Sequence, residues 1–359
     1  MNKTPRVNIN LDKIKENARI LKNRCDKKGI EITGVVKCGA GDLRITKALV
    51  AGGIKSLGDS RIKNIIKMRE AGFENEIVLL RLPNLTELKD VVKYADISLN
   101  SELITLESLG REAVKQGKVH KVIIMVDVGD LREGVLYKDY LDLMDKALQI
   151  KGVKVVGIGT NVGCYGGVLP TYQNTSLLLE LKEETLKKFN YNLEVISGGN
   201  TATTILLDND QLPKGINNLR VGEGIIQGTD ITHQREIKFL NNNNITLIAE
   251  IIELKKKPSV PIGEIGHDAF GNKPKFEDKG IRERAILAIG RQDVKVSGLR
   301  PFLKGVKIIG ASSDHLLCDV TEVETELQIG SEIEFQLNYG AMLRAMTSSY
   351  VNKYYISSL

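Results

Sequence analysis

"EITGVVKCGAGDLRITKALVAGG", residues 31 to 53, holds a β-branched run, a lysine followed by small residues, and an amphipathic run ending on glycine. Residues 31–36 read as a strand and 44–53 as a helix, the unit from which parallel sheets are assembled. An open doubly wound sheet would place a G-x-G-x-x-G loop after the first strand, and this stretch has none. The lysine, Lys37, is either a solvated strand end or an amine held ready for carbonyl chemistry.

The same unit recurs on both sides. "VNIN" (7–10) reads as a strand, and "LDKIKENARILKNRC" (11–25) sets Leu11, Ile14, Ala18, Leu21 and Cys25 at helical spacing. "SLGDS" (56–60) is a short strand whose Asp59 or Ser60 can cap the following helix. Further strands read at 76–80, 96–99, 121–128, 153–160, 193–198 and 218–222, with helical patterns between them. Roughly eight repeats of strand and crossover helix predict a (β/α)8 TIM barrel over residues 1–235. Residues 1–10 can instead join a second domain. From 236 to 359 the chain turns to short strands such as "NITLIAEIIEL" and "SEIEFQL", which predicts a C-terminal all-β domain. The Gly- and Pro-rich segment 258–280 inside it reads as a functional loop.

Composition narrows the function classes. The 359 residues carry a net charge of +6, without any block of like charges, so no nucleic-acid or membrane tail is expected. No apolar run is long enough to span a membrane. Cys25, Cys38, Cys164 and Cys318 lack both C-x-x-C and framework spacing, which fits reduced thiols. Residues 1–30 lack the apolar core of a secretory signal, and a cytoplasmic protein without a metal site is the expectation.

In a barrel the chemistry sits at the carboxyl ends of the strands. Lys37 lies there, apolar upstream and small downstream, and a desolvated lysine attacks carbonyls. "VDVGDLREG" (126–134) brings Arg132, and "GTNVGCYGG" (159–167) brings Asn161 and Cys164. Taken alone, each is a loop. "SGGNTATT" (197–204) joins glycines and hydroxyls where a helix begins, an arrangement suited to an anion. "LRVGEGIIQG" (219–228) adds a second glycine-rich strand end after Arg220, and phosphate sites of this barrel come from its last two loops. A reactive lysine beside a phosphate site suggests pyridoxal 5'-phosphate, which is held by lysine as a Schiff base.

Several stretches carry a resemblance. "PRVNINLDKIKENARIL", "VVKCGAGD", "VDVGDLREG", "RVGEGIIQG", "GASSDHLLCDVTE" and "MTSSYV" resemble, in this order, segments of the alanine racemase-fold pyridoxal-phosphate enzymes, most of all their ornithine racemase branch. The resemblance spans nearly the whole chain. It implies an amino-acid racemase for ornithine or a similar basic amino acid, with Lys37 holding the cofactor and moving a proton on one face of the substrate α-carbon. Arg220 would face the pyridine nitrogen. Ser197, Gly198, Gly199, Asn200, Thr201, Gly224 and Ile225 would surround the phosphate, with Tyr350 reaching it from the β domain. Arg132 would lie near the cofactor or the substrate carboxylate, and Asn161 stands where alanine-specific members have a histidine. The resemblance also implies a head-to-tail homodimer.

Departures from the family pattern are as informative. Gly41 replaces a tyrosine, which reads as a widened pocket beside the cofactor. Gly290-Arg291 replaces the Gly-Tyr of the second catalytic base, and arginine is a poor base. Cys164, His267 and Asp293 are the candidates for that role, with Asp314 and His315 behind them. Asp268, Asp293 and Asp314 are candidates for a distal substrate ammonium. The alternatives are racemisation of alanine, lysine or serine, a decarboxylase or aldolase of the same fold, and a cofactor-carrying homeostasis protein.

Overall fold

The computed structural model describes residues 3–357. Two compact units divide the chain, one being Leu11–Asn242 and the other the chain before Leu11 together with that from Asn243 onward.

The strand β1 (Arg6–Asn10) buries Val7 and Ile9 and belongs to the second unit. Eight strands close the first unit into a barrel: β2 (Glu31–Val35), β3 (Ser56–Asp59), β4 (Glu76–Leu79), β5 (Ile97–Asn100), β6 (His120–Asp127), β7 (Val153–Gly159), β8 (Val195–Ser197) and β9 (Asn218–Val221). All pairings around the ring are parallel, and β9 returns to β2 through Asn218↔Glu31 and Val221↔Gly34. Helices α1 (Leu11–Asp26), α2 (Leu43–Ala51), α3 (Ile62–Glu70), α4 (Leu88–Tyr94), α5 (Leu103–Lys115), α6 (Tyr140–Leu148) and α7 (Tyr172–Phe189) are the long crossovers. Two five-residue helices, α8 (Thr204–Asp208) and α9 (Glu223–Gln227), complete the set.

The sequence dictates this layering. Parallel strands covered by helices are buried on both faces, so they read as continuous β-branched runs. Val78, Ile97, Leu99, Ile123, Met125 and Val156 form a buried cluster drawn from β4, β5, β6 and β7. Ile14, Ala18, Leu21 and Cys25 form the buried stripe of α1, as their spacing predicts. Ile14 and Leu21 each contribute roughly 2 kcal/mol on leaving water. A small cavity of about 90 Å³ remains among the strands, reaching from Glu31 and Glu76 at the strand starts to Arg220.

The second unit is an eight-stranded sheet. Its further strands are β10 (Ile245–Pro258), β11 (Ile281–Leu287), β12 (Leu299–Pro301), β13 (Lys307–Ala311), β14 (Leu316–Asp319), β15 (Glu332–Leu337) and β16 (Asn352–Ile356). β1 pairs antiparallel with β10 and parallel with β16. A helix that the sequence reading did not foresee, α10 (Tyr339–Thr347), follows β15, with the Asn338 side chain accepting the Ala341 N–H at 3.0 Å. No helix among the described residues is long and apolar enough to cross a membrane.

Candidate active site at the carboxyl ends of the barrel strands

Lys37 opens a single 3-10 turn, Lys37–Gly39, directly after β2. The turn leaves through two successive left-handed residues, Ala40 (φ 55°) and Gly41 (φ 63°), and Asp42 then caps α2 by accepting the N–H groups of Arg44 and Ile45. The Lys37 ε-amine makes neither a hydrogen bond nor an ion pair among the described residues. The next residue, Cys38, is buried, and desolvation pushes its thiol up to about 12, so it stays neutral.

The room at Gly41 is not open. A Cβ there would lie 2.6 Å from the Asn64 side chain of α3, in a left-handed conformation that side chains resist. The glycine therefore admits Asn64, not a larger ligand, and the expectation of a widened pocket is corrected on this point. Asn64 is held by Asp59, whose Oδ1 accepts the Asn64 amide at 3.0 Å and the Arg61 N–H at 2.8 Å. The other carboxylate oxygen of Asp59 is buried without a partner. Burial raises the Asp59 carboxyl above the usual range, while the charge of Lys37 is among the influences favouring its ionised form. Sequence reasoning saw Asp59 only as a helix cap.

Arg220, on β9, is 5% exposed. Its guanidinium donates to Ser197 Oγ and to the Thr160 carbonyl, which fixes its plane. Burial pushes Arg220 down to about 10, with the Glu133 and Cys164 charges opposing that fall, so it remains protonated at neutral pH. Ser197 Oγ also donates to Asn218 Oδ1. Ser197 is thus committed to the arginine, and Gly198 N–H is taken by the Asn218 carbonyl at 3.0 Å. The N–H groups of Gly199, Asn200 and Thr201 have no acceptor among the described residues. Thr201 Oγ1 accepts the Gly224 N–H at 3.2 Å, so the two glycine-rich strand ends meet, with Ile225 buried just behind Gly224.

Cys164 joins this group from the loop after β7. Asn161 Nδ2 lies 3.0 Å from Cys164 Sγ and Asn200 Nδ2 lies 3.7 Å from it. Asn200 also donates to Asn161 Oδ1 at 2.9 Å and to the Val162 carbonyl at 2.7 Å. Lone pairs of an exposed sulfur are therefore faced by amide donors. Arg132, exposed on the loop after β6, pairs with Glu133.

The remaining candidates belong to the β-sheet unit. His267 is exposed in the segment between β10 and β11, which contains no regular structure from Ser259 to Gly280. Asp293 is 4% exposed and accepts Ser348 Oγ at 2.7 Å, so its carboxylate already serves a structural hydroxyl. Tyr350 is exposed in this chain. Asp268 accepts the N–H groups of Phe270 and Asn272, and Asp314 faces His315 Nδ1 at 2.9 Å. Arg291 stacks over Phe270 at 4.3 Å and lies 3.9 Å from Asp268. No metal-ligating cluster occurs among the described residues.

A group with an aldehyde and a phosphate fits the barrel residues: an amine and three N–H groups without partners among the described residues, and a buried protonated guanidinium, lie at adjoining strand ends.

Known proteins place this geometry. The family model for the alanine racemase N-terminal domain matches residues 9–229. The ornithine racemase of Acetoanaerobium sticklandii is 45% identical over 97% of this chain and 99% of its own. The lysine racemase of Thermotoga maritima is 44% identical over 99% of both chains. The solved alanine racemase of Clostridium difficile 630 shares the fold at a TM-score of 0.77 and 17% identity, covering 100% of this chain and 97% of that one. The chain belongs to the alanine racemase family, whose members depend on pyridoxal phosphate.

Proposed function

We propose that the protein is a pyridoxal-phosphate-dependent racemase of ornithine or a closely related basic amino acid, acting as a homodimer in the cytoplasm. The observation that carries this reading is the Lys37 amine just past the carboxyl end of β2, without a partner among the described residues, in a chain similar over nearly its full length to ornithine and lysine racemases.

Bound, the cofactor supplies an aldehyde for amine condensation and a ring system that spreads negative charge from the α-carbon. Lys37 holds it covalently through Nζ. Gly199, Asn200, Thr201, Gly224 and Ile225 would hold the phosphate. Arg220 would meet the ring nitrogen as a donor that keeps its proton, because its guanidinium stays charged and is tied to Ser197 and Thr160. A guanidinium held in this way would offer a hydrogen bond without giving up its proton, and that would favour return of a proton to the α-carbon over other outcomes. Arg132 lies toward the substrate carboxylate.

Racemisation needs a proton carrier on each face of the α-carbon. Lys37 Nζ serves one face. Cys164 Sγ serves the other, because it alone among the three candidates is exposed within the barrel unit and faced by amide donors. Chiral chromatography of L-ornithine, L-lysine, L-serine and L-alanine incubated with the purified protein tests the reading. Formation of the D enantiomer fastest from ornithine or lysine supports it; turnover of alanine alone, or of none, refutes it.

A further inference from the structure

The loop that carries Cys164, "NVGCYGGV" (161–168), has three glycines and stands exposed at Tyr165, Gly166 and Gly167. Such a segment has little intrinsic preference for one conformation, and ordering it costs backbone entropy. One buried carboxylate gathers three of its backbone N–H groups. Asp130, at the turn after β6, is 1% exposed. Its Oδ1 accepts the N–H groups of Val168 at 3.2 Å and Cys164 at 3.4 Å, and its Oδ2 accepts that of Tyr165 at 3.0 Å. A carboxylate accepting several N–H groups forms charge-assisted bonds, stronger than neutral ones. The loop backbone also lies directly on the turn, since a Cβ on Gly166 would meet the Asp130 carbonyl oxygen at 2.7 Å. On the far side Thr232 Oγ1 donates to the Gly163 carbonyl at 3.0 Å.

We propose that Asp130 is a positioning residue for the second proton carrier: by clamping three N–H groups of the loop it holds Cys164 Sγ against Asn161 and Asn200. The inference rests on the reading of Cys164 as that carrier. Asp130 touches neither substrate nor cofactor; it acts through the loop. Asp127, three residues earlier, accepts the N–H groups of Gly129 and Leu131 within its own turn, so the two aspartates of "VDVGDLREG" have separate duties.

The test uses the holoenzyme in deuterated buffer, following α-hydrogen exchange separately from L- and D-ornithine, with iodoacetamide labelling of Cys164 mapped by mass spectrometry. Asp130→Ala is expected to slow exchange from the enantiomer served by Cys164 on the order of a hundredfold, the scale of a small misplacement of a catalytic group. Exchange without inversion from the enantiomer served by Lys37 persists, KM changes less than twofold, and the Cys164 labelling rate changes severalfold. Asp130→Asn keeps one acceptor oxygen and falls between the two. Equal loss from both enantiomers, or a labelling rate and exchange pattern like the wild type, overturns the proposal. Cys164→Ala separates the two readings: if it keeps exchange from both enantiomers, Cys164 is not the carrier, whereas one-sided loss in Cys164→Ala without it in Asp130→Ala refutes the positioning role alone. Should Asp130→Ala fail to fold, Gly166→Ala lifts the loop from the same turn. One-sided loss there supports the proposal, and wild-type behaviour overturns it.

Discussion

Replacing Glu223 by glutamine removes a carboxyl that the fold buries at the start of α9, beside Gly224. The Glu223 side chain accepts Thr229 Oγ1 at 2.8 Å and the Ile231 N–H at 3.1 Å, which ties α9 to the hairpin that follows it. Burial, helped by the nearby Asp230, lifts this carboxyl from an ordinary 4.5 to about 7. At about 1.4 kcal/mol per pH unit, that shift corresponds to about 3.5 kcal/mol, an upper figure because water reaching an ionised carboxylate lowers it. The sign follows from linkage. A carboxyl whose folded value is raised binds a proton more tightly in the folded state than in the unfolded one, so its stabilising contribution is full below pH 4.5 and is lost as pH rises through about 7. Glutamine keeps an acceptor for Thr229 and Ile231 and has no proton to lose. Urea unfolding at pH 5 and pH 8 reads the difference. The gap in stability, Glu223→Gln minus wild type, is expected to grow by about 2 kcal/mol between those values. A gap that stays constant across the range would show that Glu223 does not favour its protonated form in the fold, and the reasoning would fail.

Three further outcomes follow from the site. Borohydride reduction of the cofactor-loaded protein should leave the cofactor mass on the peptide containing Lys37, and Lys37→Ala should retain none by mass spectrometry. Gly41→Ala should destabilise by roughly 1 to 3 kcal/mol, since it strains a left-handed backbone and crowds Asn64. Adding Asn64→Ala should recover the crowding part, which a double-mutant cycle by urea unfolding measures. His267→Ala should keep deuterium exchange from both ornithine enantiomers, because that side chain is exposed in an irregular segment.

Much of the barrel is legible in the sequence because its strands are short, β-branched and buried on both faces, while the intervening helices keep a one-sided apolar stripe. β1 is the exception. "VNIN" has the composition of a barrel strand, yet its partners are Ile245–Ile248 and Asn352–Ile356, far along the chain. No local pattern shows a pairing made at such distance. Lys37 stands out in sequence because it follows an apolar run, and Arg220 because it interrupts a short strand just ahead of a glycine-rich turn. Asp59, Asn64, Asp130 and Glu223 do not, since a charged or amide residue at a strand end, in a turn or in the first turn of a helix looks solvated. Their burial comes from convergence of loops: Asp130 meets residues 164–168, and Asp59 meets the turn after β2 through Asn64. Gly41 shows the same limit from the other side. A missing side chain reads as space, and only the packing reveals that Asn64 fills it.

The account's central claim is a proton exchanged at the α-carbon of a basic amino acid with inversion, dependent on Lys37. Incubation of L-ornithine with the purified, cofactor-loaded protein in deuterated water, followed by proton NMR and chiral separation, tests it most directly. The account predicts α-deuterated ornithine in both enantiomers with the wild type and neither exchange nor inversion with Lys37→Ala. Ornithine and lysine that keep their α-protons and their handedness with the wild type, or inversion that survives Lys37→Ala, would contradict it.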